Sequence, residues 1–246
     1  MFTTAKRRLV RRWRTFWLGR GGYRFWGRIA SRLGALGAGQ YRHQCALTWM
    51  TRRGFISPRA EIIDVDLRLR GRAFIADGAV VARWRGNGFV ELADGVQINR
   101  GCMLELIEGG SITIDEGVAI QNGCVLFSGV EPIIIHRHAQ IACYCAFYSY
   151  DHGIDAGSEI YRQPLTSKGP IVVGEDAWLG VCVKVMSGVT IGRGAVIGAG
   201  SVVTRDIPAN AIAAGVPARV LKYRPHAEVA PELRESHTIP EPVSAE

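Results

Sequence analysis

From Val173 onward an aliphatic residue returns every six positions, at Val173, Leu179, Val185, Ile191, Ile197 and Val203. No other feature of the chain constrains its fold so tightly. Four positions after each stands a small or β-branched residue, Ala177, Val183, Val189, Ala195, Ser201 and Ile207, and Gly often takes the second place of the hexad (Gly174, Gly180, Gly192, Gly198). A helix repeats its apolar face about every 3.6 residues and a half-buried strand alternates about every two, so a period of six fits neither. It fits a prism of three parallel sheets, in which each short strand sends one aliphatic and one small residue inward before the chain turns a corner.

The same beat appears earlier in broken form, as Leu92, Ile98 and Leu104, then Ile114, Ile120 and Leu126, then Ile135, Ile141 and Phe147. Each triplet accounts for one coil of three strands. The gaps from Ile107 to Ser111 and from Ser128 to Pro132 read as bulges at corners. Tyr150 to Pro170 is polar and far longer, and has to loop out of the solenoid. Long ordered loops in compact folds are disproportionately functional.

The formal net charge of +8 is unevenly placed. Residues 1 to 60 hold 14 Lys and Arg and no acid, which leaves 16 bases against 22 acids in the other 186 residues, a net of −6. The basic character therefore belongs to an N-terminal arm. Two helices are expected there. The first, roughly residues 4 to 18, sets Leu9, Val10, Trp13, Phe16 and Trp17 beside Arg7, Arg8, Arg11, Arg12 and Arg14. After a break at Gly19, Gly21 and Gly22, the second puts Trp26, Ile29, Ala30 and Leu33 on one face and Arg24, Arg28 and Arg32 on another.

Arginine interleaved with aromatics suits peripheral contact of residues 1–33 with an anionic membrane surface, or a cap on the open end of the solenoid. Nucleic acid would attract the same charge, but no recognition motif accompanies it and none is expected as a partner. Arg or Gly interrupts every apolar run before residue 40, so neither an export signal nor a spanning helix is expected. The six Cys (Cys45, Cys102, Cys124, Cys143, Cys145, Cys182) form no C-x-x-C pair and read as reduced thiols of a cytoplasmic protein, peripheral at the inner face of the cell membrane through its arm. The organisation is then a basic helical arm at 1–55, a β-helix at 56–224 with a protruding loop at 150–170, and a polar, flexible tail at 225–246.

The run from Gly169 to Arg224 contains G-A-G-S-V-V-T-R-D-I-P-A-N followed by A-G-V-P-A-R. It resembles the C-terminal half of the hexapeptide-repeat acyltransferases, in the branch of galactoside and maltose acetyltransferases and of bacterial surface-polysaccharide O-acetyltransferases. The resemblance covers about residues 90 to 224 and leaves out the arm. It implies an all-β, left-handed parallel β-helix, a hand that the usual right-handed crossover rule would not supply. It also implies a homotrimer, with acetyl-CoA as cosubstrate lying between neighbouring subunits. By position, the family's coenzyme contacts fall on Trp178, Ala199, Thr204, Arg205 and Arg219, with Lys222 where another basic residue is usual. Val181 stands where the family often has a serine. Arg suits the coenzyme's phosphates, which it can grip in bidentate fashion. Trp178 alone also reads as a cap on a coil edge, and Arg219, Lys222 and Arg224 as solvated charge.

Acyl transfer from a thioester to a hydroxyl needs a base for the hydroxyl proton, and imidazole titrates in the right range. His152, in Y-D-H at the mouth of the long loop, occupies the place of the family's catalytic histidine. Asp151 is not expected to orient its ring, since adjacent side chains rarely face one another; a backbone carbonyl is the expected partner. Asn122 falls one coil earlier, where the sugar branch carries Asn at the acceptor site. An amide there binds the attacking hydroxyl or the oxyanion, while Q-N-G is also an ordinary turn sequence. The aspartate that contacts sugar in the galactoside enzymes has no counterpart around Ser128 to Glu131, which points to a different acceptor. Carbonic anhydrases of the same fold bind zinc with three His, but the spacing of His136, His138 and His152 does not match, and no metal is expected. The expected function is CoA-dependent O-acyl transfer, most simply acetyl, to a hydroxyl of a sugar, polysaccharide or lipid-linked glycan. N-acylation of an amino sugar, free or nucleotide-linked, and a non-catalytic trimeric scaffold are the alternatives.

Overall fold

The structure, a computed structural model, describes residues 4–39 and 42–225. The six-residue beat folds into a left-handed parallel β-helix of three sheets, with nine, seven and six strands. Successive strands go to the first, second and third sheet in turn, and the seven strands of the second sheet count the coils. Stacking is in strict register. In the third sheet Leu92, Ile114, Ile135, Val173 and Ile191 align; in the first, Ile98, Ile120, Ile141, Leu179 and Ile197; in the second, Leu104, Leu126, Phe147, Val185 and Val203. All of them are buried, as are the small partners Ala177, Val183, Val189, Ala195 and Ser201. Each fully buried aliphatic side chain is stabilised by about 1.5–3 kcal/mol relative to exposure.

The solenoid begins earlier than the beat reveals. Its first coil is Gly54–Ile56, Glu61–Ile63 and Asp66–Leu69, and its second Ala73–Ile75, Val80–Arg83 and Phe89–Leu92. Gly54 and Phe55, assigned to the arm by the sequence, thus lie in the first strand. The period fails here because the corner at Trp84 to Gly88 adds residues between inward-facing Val81 and Leu92. At the far end the strand Ala211–Gly215 joins the first sheet and turns back, through a cis Val216–Pro217 peptide, into the antiparallel strand Ala218–Tyr223. Of the expected tail, residues 226–246 lie outside the described residues.

Among the described residues the arm holds three helices where two were expected: α1 (Thr4–Leu18), α2 (Phe25–Gly34) and the unforeseen α3 (Arg42–Thr48). α1 packs on α2, where Trp13 Nε1 donates to Leu33 O at 2.9 Å. Gly34 makes the approach possible, since a Cβ there would lie 2.7 Å from the Leu18 side chain. Leu18 and Leu47, with Ala35, Ala38 and Met50, cover Phe55 and Phe74 on the outer face of the first sheet. Arg28 clamps Pro58 O with two donors, at 3.2 and 2.8 Å. The arm therefore docks on the outer face of the first sheet, at its first two coils. Docking leaves Leu9, Val10, Trp13, Phe16, Phe25 and Trp26 exposed. Among the described residues no helix is long and apolar enough to cross a membrane.

Candidate active site

His152 stands where the fifth coil leaves the second sheet for the third. The corner is fixed by two serines, one buried and one half-buried: Ser149 Oγ donates to Glu131 O at 2.6 Å, and Ser167 Oγ returns to Ser149 O at 2.7 Å. Asp151–His152 then pairs antiparallel with Leu165–Thr166, forming a two-stranded ribbon at the base of the long loop. Successive side chains of a strand point to opposite faces. Asp151 turns toward the solenoid and accepts a hydrogen bond from Ser187 Oγ, while His152 is exposed. Asp151 thus does not orient the imidazole. Nor does the expected backbone carbonyl: among the described residues the ring meets only the edge of Tyr150, with centroids 6.4 Å apart and planes at 75°. Beyond the ribbon the Gln163 amide knits the loop, accepting from Asp155 N and donating to Asp155 O and Ser158 O, each at 2.8 Å. Ile154, Ile160 and Tyr161 are exposed along it.

Asn122 lies at another corner, between the first and second sheets, in a column with Cys143, Val181 and Ala199 that successive backbone hydrogen bonds hold together. Trp178, 54% exposed, stands on the outer face of the first sheet in a row that runs Gln140, Trp178, Val196, Ile212, Lys222. Arg219 extends from the same terminal strand as Lys222. Thr204 and Arg205 share the second-to-third corner with His152, two coils further along. The expected catalytic pair is therefore not assembled within one chain. His152, Thr204 and Arg205 form one set, and Asn122, Trp178, Ala199, Arg219 and Lys222 another, with the second sheet between the two corners.

Charge separates the basic residues further. Arg224 is tied to Asp176 at 2.9 Å, as a solvated structural pair would be. Among the described residues Arg205, Arg219 and Lys222 have no acidic partner, and Arg219 reaches only Ala218 O at 2.9 Å. Three uncompensated cations around the last coils are what a phosphate-bearing ligand needs.

The thiols and the other histidines have different work. Cys102, Cys124 and Cys145 form a buried column that donates to Gln121 O, Ala142 O and Gly180 O at 3.0, 3.0 and 3.2 Å. The neighbouring Cys102 thiol, together with burial, pushes Cys124 up to about 12. Cys145 is raised by Cys124 and burial in turn. Such thiols pack and do not attack. His136 Nδ1 sits 2.9 Å from Asp115 Oδ2 at the third-to-first corner, so His136 and His152 are not gathered at one place.

One group escaped the sequence. On the outer face of the second sheet Glu105 is nearly buried and accepts from Trp84 Nε1 at 2.9 Å, and the Phe127 and Tyr148 rings stack at 5.3 Å. The outward positions of the hexads carry this pattern, and the beat reports only the inward ones.

A family profile described as bacterial transferase hexapeptide (six repeats) matches residues 170–205. A Saccharomyces cerevisiae protein provisionally named an acetyltransferase is 35% identical over 114 residues, which are 46% of this chain and 57% of the yeast protein. An Escherichia coli K12 protein provisionally named the lipopolysaccharide biosynthesis O-acetyl transferase WbbJ is 30% identical over 149 residues, 58% of this chain and 76% of the relative. The chain thus spans little more than half of the yeast relative and three quarters of the bacterial one. Among solved structures, a Bacillus cereus protein provisionally named an acetyltransferase superposes with a TM-score of 0.52 at 23% identity, over 73% of this chain and 89% of that one. At that identity the likeness speaks for the fold.

Proposed function

The chain belongs to the bacterial hexapeptide-repeat transferases, and from that premise we propose that it transfers an acyl group, most simply acetyl, from coenzyme A to a hydroxyl of a carbohydrate. The observation that carries this is the setting of His152: exposed, on a braced ribbon, with no hydrogen bond from the described residues, on the same corner as unpaired Arg205. In the reaction the acceptor oxygen attacks the thioester carbonyl carbon while the imidazole takes the hydroxyl proton. The C–S bond of the tetrahedral intermediate then breaks, and the leaving thiolate takes that proton back from the imidazolium. The products are the O-acyl ester and the free thiol. Arg205, Arg219 and Lys222 hold the coenzyme's phosphates, and the exposed face of Trp178 offers its adenine or pantetheine a flat support.

The split of these residues between two corners supports a homotrimer, in which the His152 corner of one copy closes on the Asn122 corner of the next. The exposed Ile154, Ile160 and Tyr161 of the long loop would be covered by such a neighbour. The arm supports a place at the inner face of a membrane. It is docked on the outer face of the first sheet, yet Phe25 and Trp26 remain 70% and 77% exposed among arginines. A lipid-linked glycan is the acceptor that gives such an arm a use.

The test is thiol release from acetyl-CoA with a panel of glycans and amino sugars, for the wild type and for His152→Ala. A loss of roughly 10²–10⁴ in turnover is expected. Equal turnover removes His152 from the mechanism, preference for amino sugars favours N-acylation, and no turnover with any acceptor favours the scaffold.

A further inference from the structure

α1 borders a groove of about 630 Å³ that belongs to the arm alone. Arg7, Val10, Arg11 and Arg14, at i, i+3, i+4 and i+7, share one face of the helix and form one wall. Leu36, just past α2, and Met50, just past α3, form the other. At the rim Gly37 turns the chain at a φ of 65°, with open space beside it. The volume is that of a small-molecule site and far exceeds what a lone ion fills.

The groove is cationic and not neutralised from within. Residues 1 to 60 contain no Asp or Glu, and among the described residues Arg7, Arg11 and Arg14 make no ion pair. Arg14 is the least satisfied of the three. Its Nε is sealed from solvent without a hydrogen-bond partner, and the one hydrogen bond its side chain makes among the described residues, from Nη2 to Leu36 O, is long at 3.4 Å. A half-buried guanidinium with donors unspent calls for an anion beside it. Charge is only half of the lining, however, since Val10 and Leu36 are 41% and 60% exposed. Cations set against uncovered apolar side chains match a molecule with a phosphate at one end and methylenes at the other. A nucleic acid would use the charge and leave the apolar wall idle.

The trimer proposed above leaves this place open. Joining the His152 corner of one copy to the Asn122 corner of the next turns the second sheet toward the axis, whereas α3 packs on Gly54–Ile56 and Ala73–Ile75 of the first sheet and α1 packs on α2.

We infer that the groove binds the phosphate head group of an anionic membrane lipid, one per chain, with Arg7, Arg11 and Arg14 on the phosphate and Val10, Leu36 and Met50 against the first methylenes of its tail. The inference rests on the arm meeting a membrane, and is independent of the acyl chemistry. It replaces a diffuse attraction by a defined site, at which the forked geometry of the guanidinium and not net charge decides affinity.

A short-chain lipid used as a monomer separates the site from the bilayer. Dihexanoyl phosphatidic acid is titrated into the full-length protein by calorimetry, beside inorganic phosphate and dihexanoyl phosphatidylcholine. The acidic lipid is expected to bind one per chain, on the order of tenfold or more tighter than either of the others. Arg7→Lys with Arg11→Lys and Arg14→Lys keeps the charge and loses the fork, and should weaken it about tenfold. Arg8→Lys with Arg12→Lys, off the groove, should leave it unchanged. Leu36→Ser, at an exposed side chain, should weaken the lipid but not inorganic phosphate. Equal affinity for inorganic phosphate or for phosphatidylcholine, equal losses in the two lysine sets, or indifference to Leu36→Ser overturns the lipid site. A change of oligomeric state in the groove lysine variant, read by light scattering, overturns it in favour of a contact between copies. Because the probe is monomeric, these results stand apart from vesicle binding through Phe25 and Trp26, which tests the membrane reading itself.

Discussion

Replacing Ser187 with Ala asks how far the position of His152 depends on the coil beneath it. Ser187 is 4% exposed, and its Oγ ties the Asp151 carboxylate, next to His152, to the sixth coil. A hydrogen bond to a charged group contributes about 1.5–3 kcal/mol net. Asp151 is only half-buried, so water replaces part of what is lost and the lower end applies, about 1.5 kcal/mol. The ribbon itself survives, because Asp151 and His152 keep their partners Thr166 and Leu165 and Gly153 N still reaches Pro164 O at 3.3 Å. The cost therefore falls on docking of the ribbon, whose opening equilibrium rises about tenfold at about 1.4 kcal/mol per decade. Exchange of the Gly153 amide, followed by deuterium uptake, should speed by about that factor, and kcat/KM for the acceptor should fall by no more. KM for acetyl-CoA should move less, since Arg219 and Lys222 extend from the terminal strand on the first sheet. Unchanged exchange would refute the bracing role of Ser187, and a global loss of stability above about 3 kcal/mol would show instead that the serine holds the coil together.

Other consequences can be measured directly. Phe147→Ala, at a side chain fully buried between Leu126 and Val185, should cost about 3–5 kcal/mol in urea denaturation. Arg219→Ala with Lys222→Ala should raise KM for acetyl-CoA about tenfold, with kcat and acceptor KM little changed in steady-state kinetics. Cys124 and Cys145 titrate above an ordinary thiol, so below about pH 8.5 both folded and unfolded states are protonated and they leave stability unaffected. Above that the unfolded chain loses these protons first and stability falls, partly offset by Cys102, which its hydrogen bond with Cys124 holds below the ordinary thiol range; Cys124→Ala should change the dependence of urea midpoints on rising pH. Phe25→Ser with Trp26→Ser should abolish cosedimentation with vesicles rich in anionic lipid while leaving Tm in place; retained cosedimentation would remove the arm from membrane contact.

How much of this was legible in the sequence depended on whether a residue's role is set by its own coil. Inward positions repeat, so Val173 to Val203 announced the solenoid, and the polar break after Tyr150 marked the loop that carries His152. The second coil was muffled by the corner at Trp84 to Gly88, which lengthens the spacing between inward-facing Val81 and Leu92. α3 was lost because its seven residues are too few for a periodic face to emerge. Asn122 and His152 looked like neighbours because they are one coil apart in sequence, but a three-sided coil also carries a residue around a corner, and distance along the chain cannot say which corner. The outward row on the second sheet was hidden for a related reason. Glu105, Phe127 and Tyr148 are 22 and 21 residues apart and meet only through register, which the inward beat fixes without naming the outward residues.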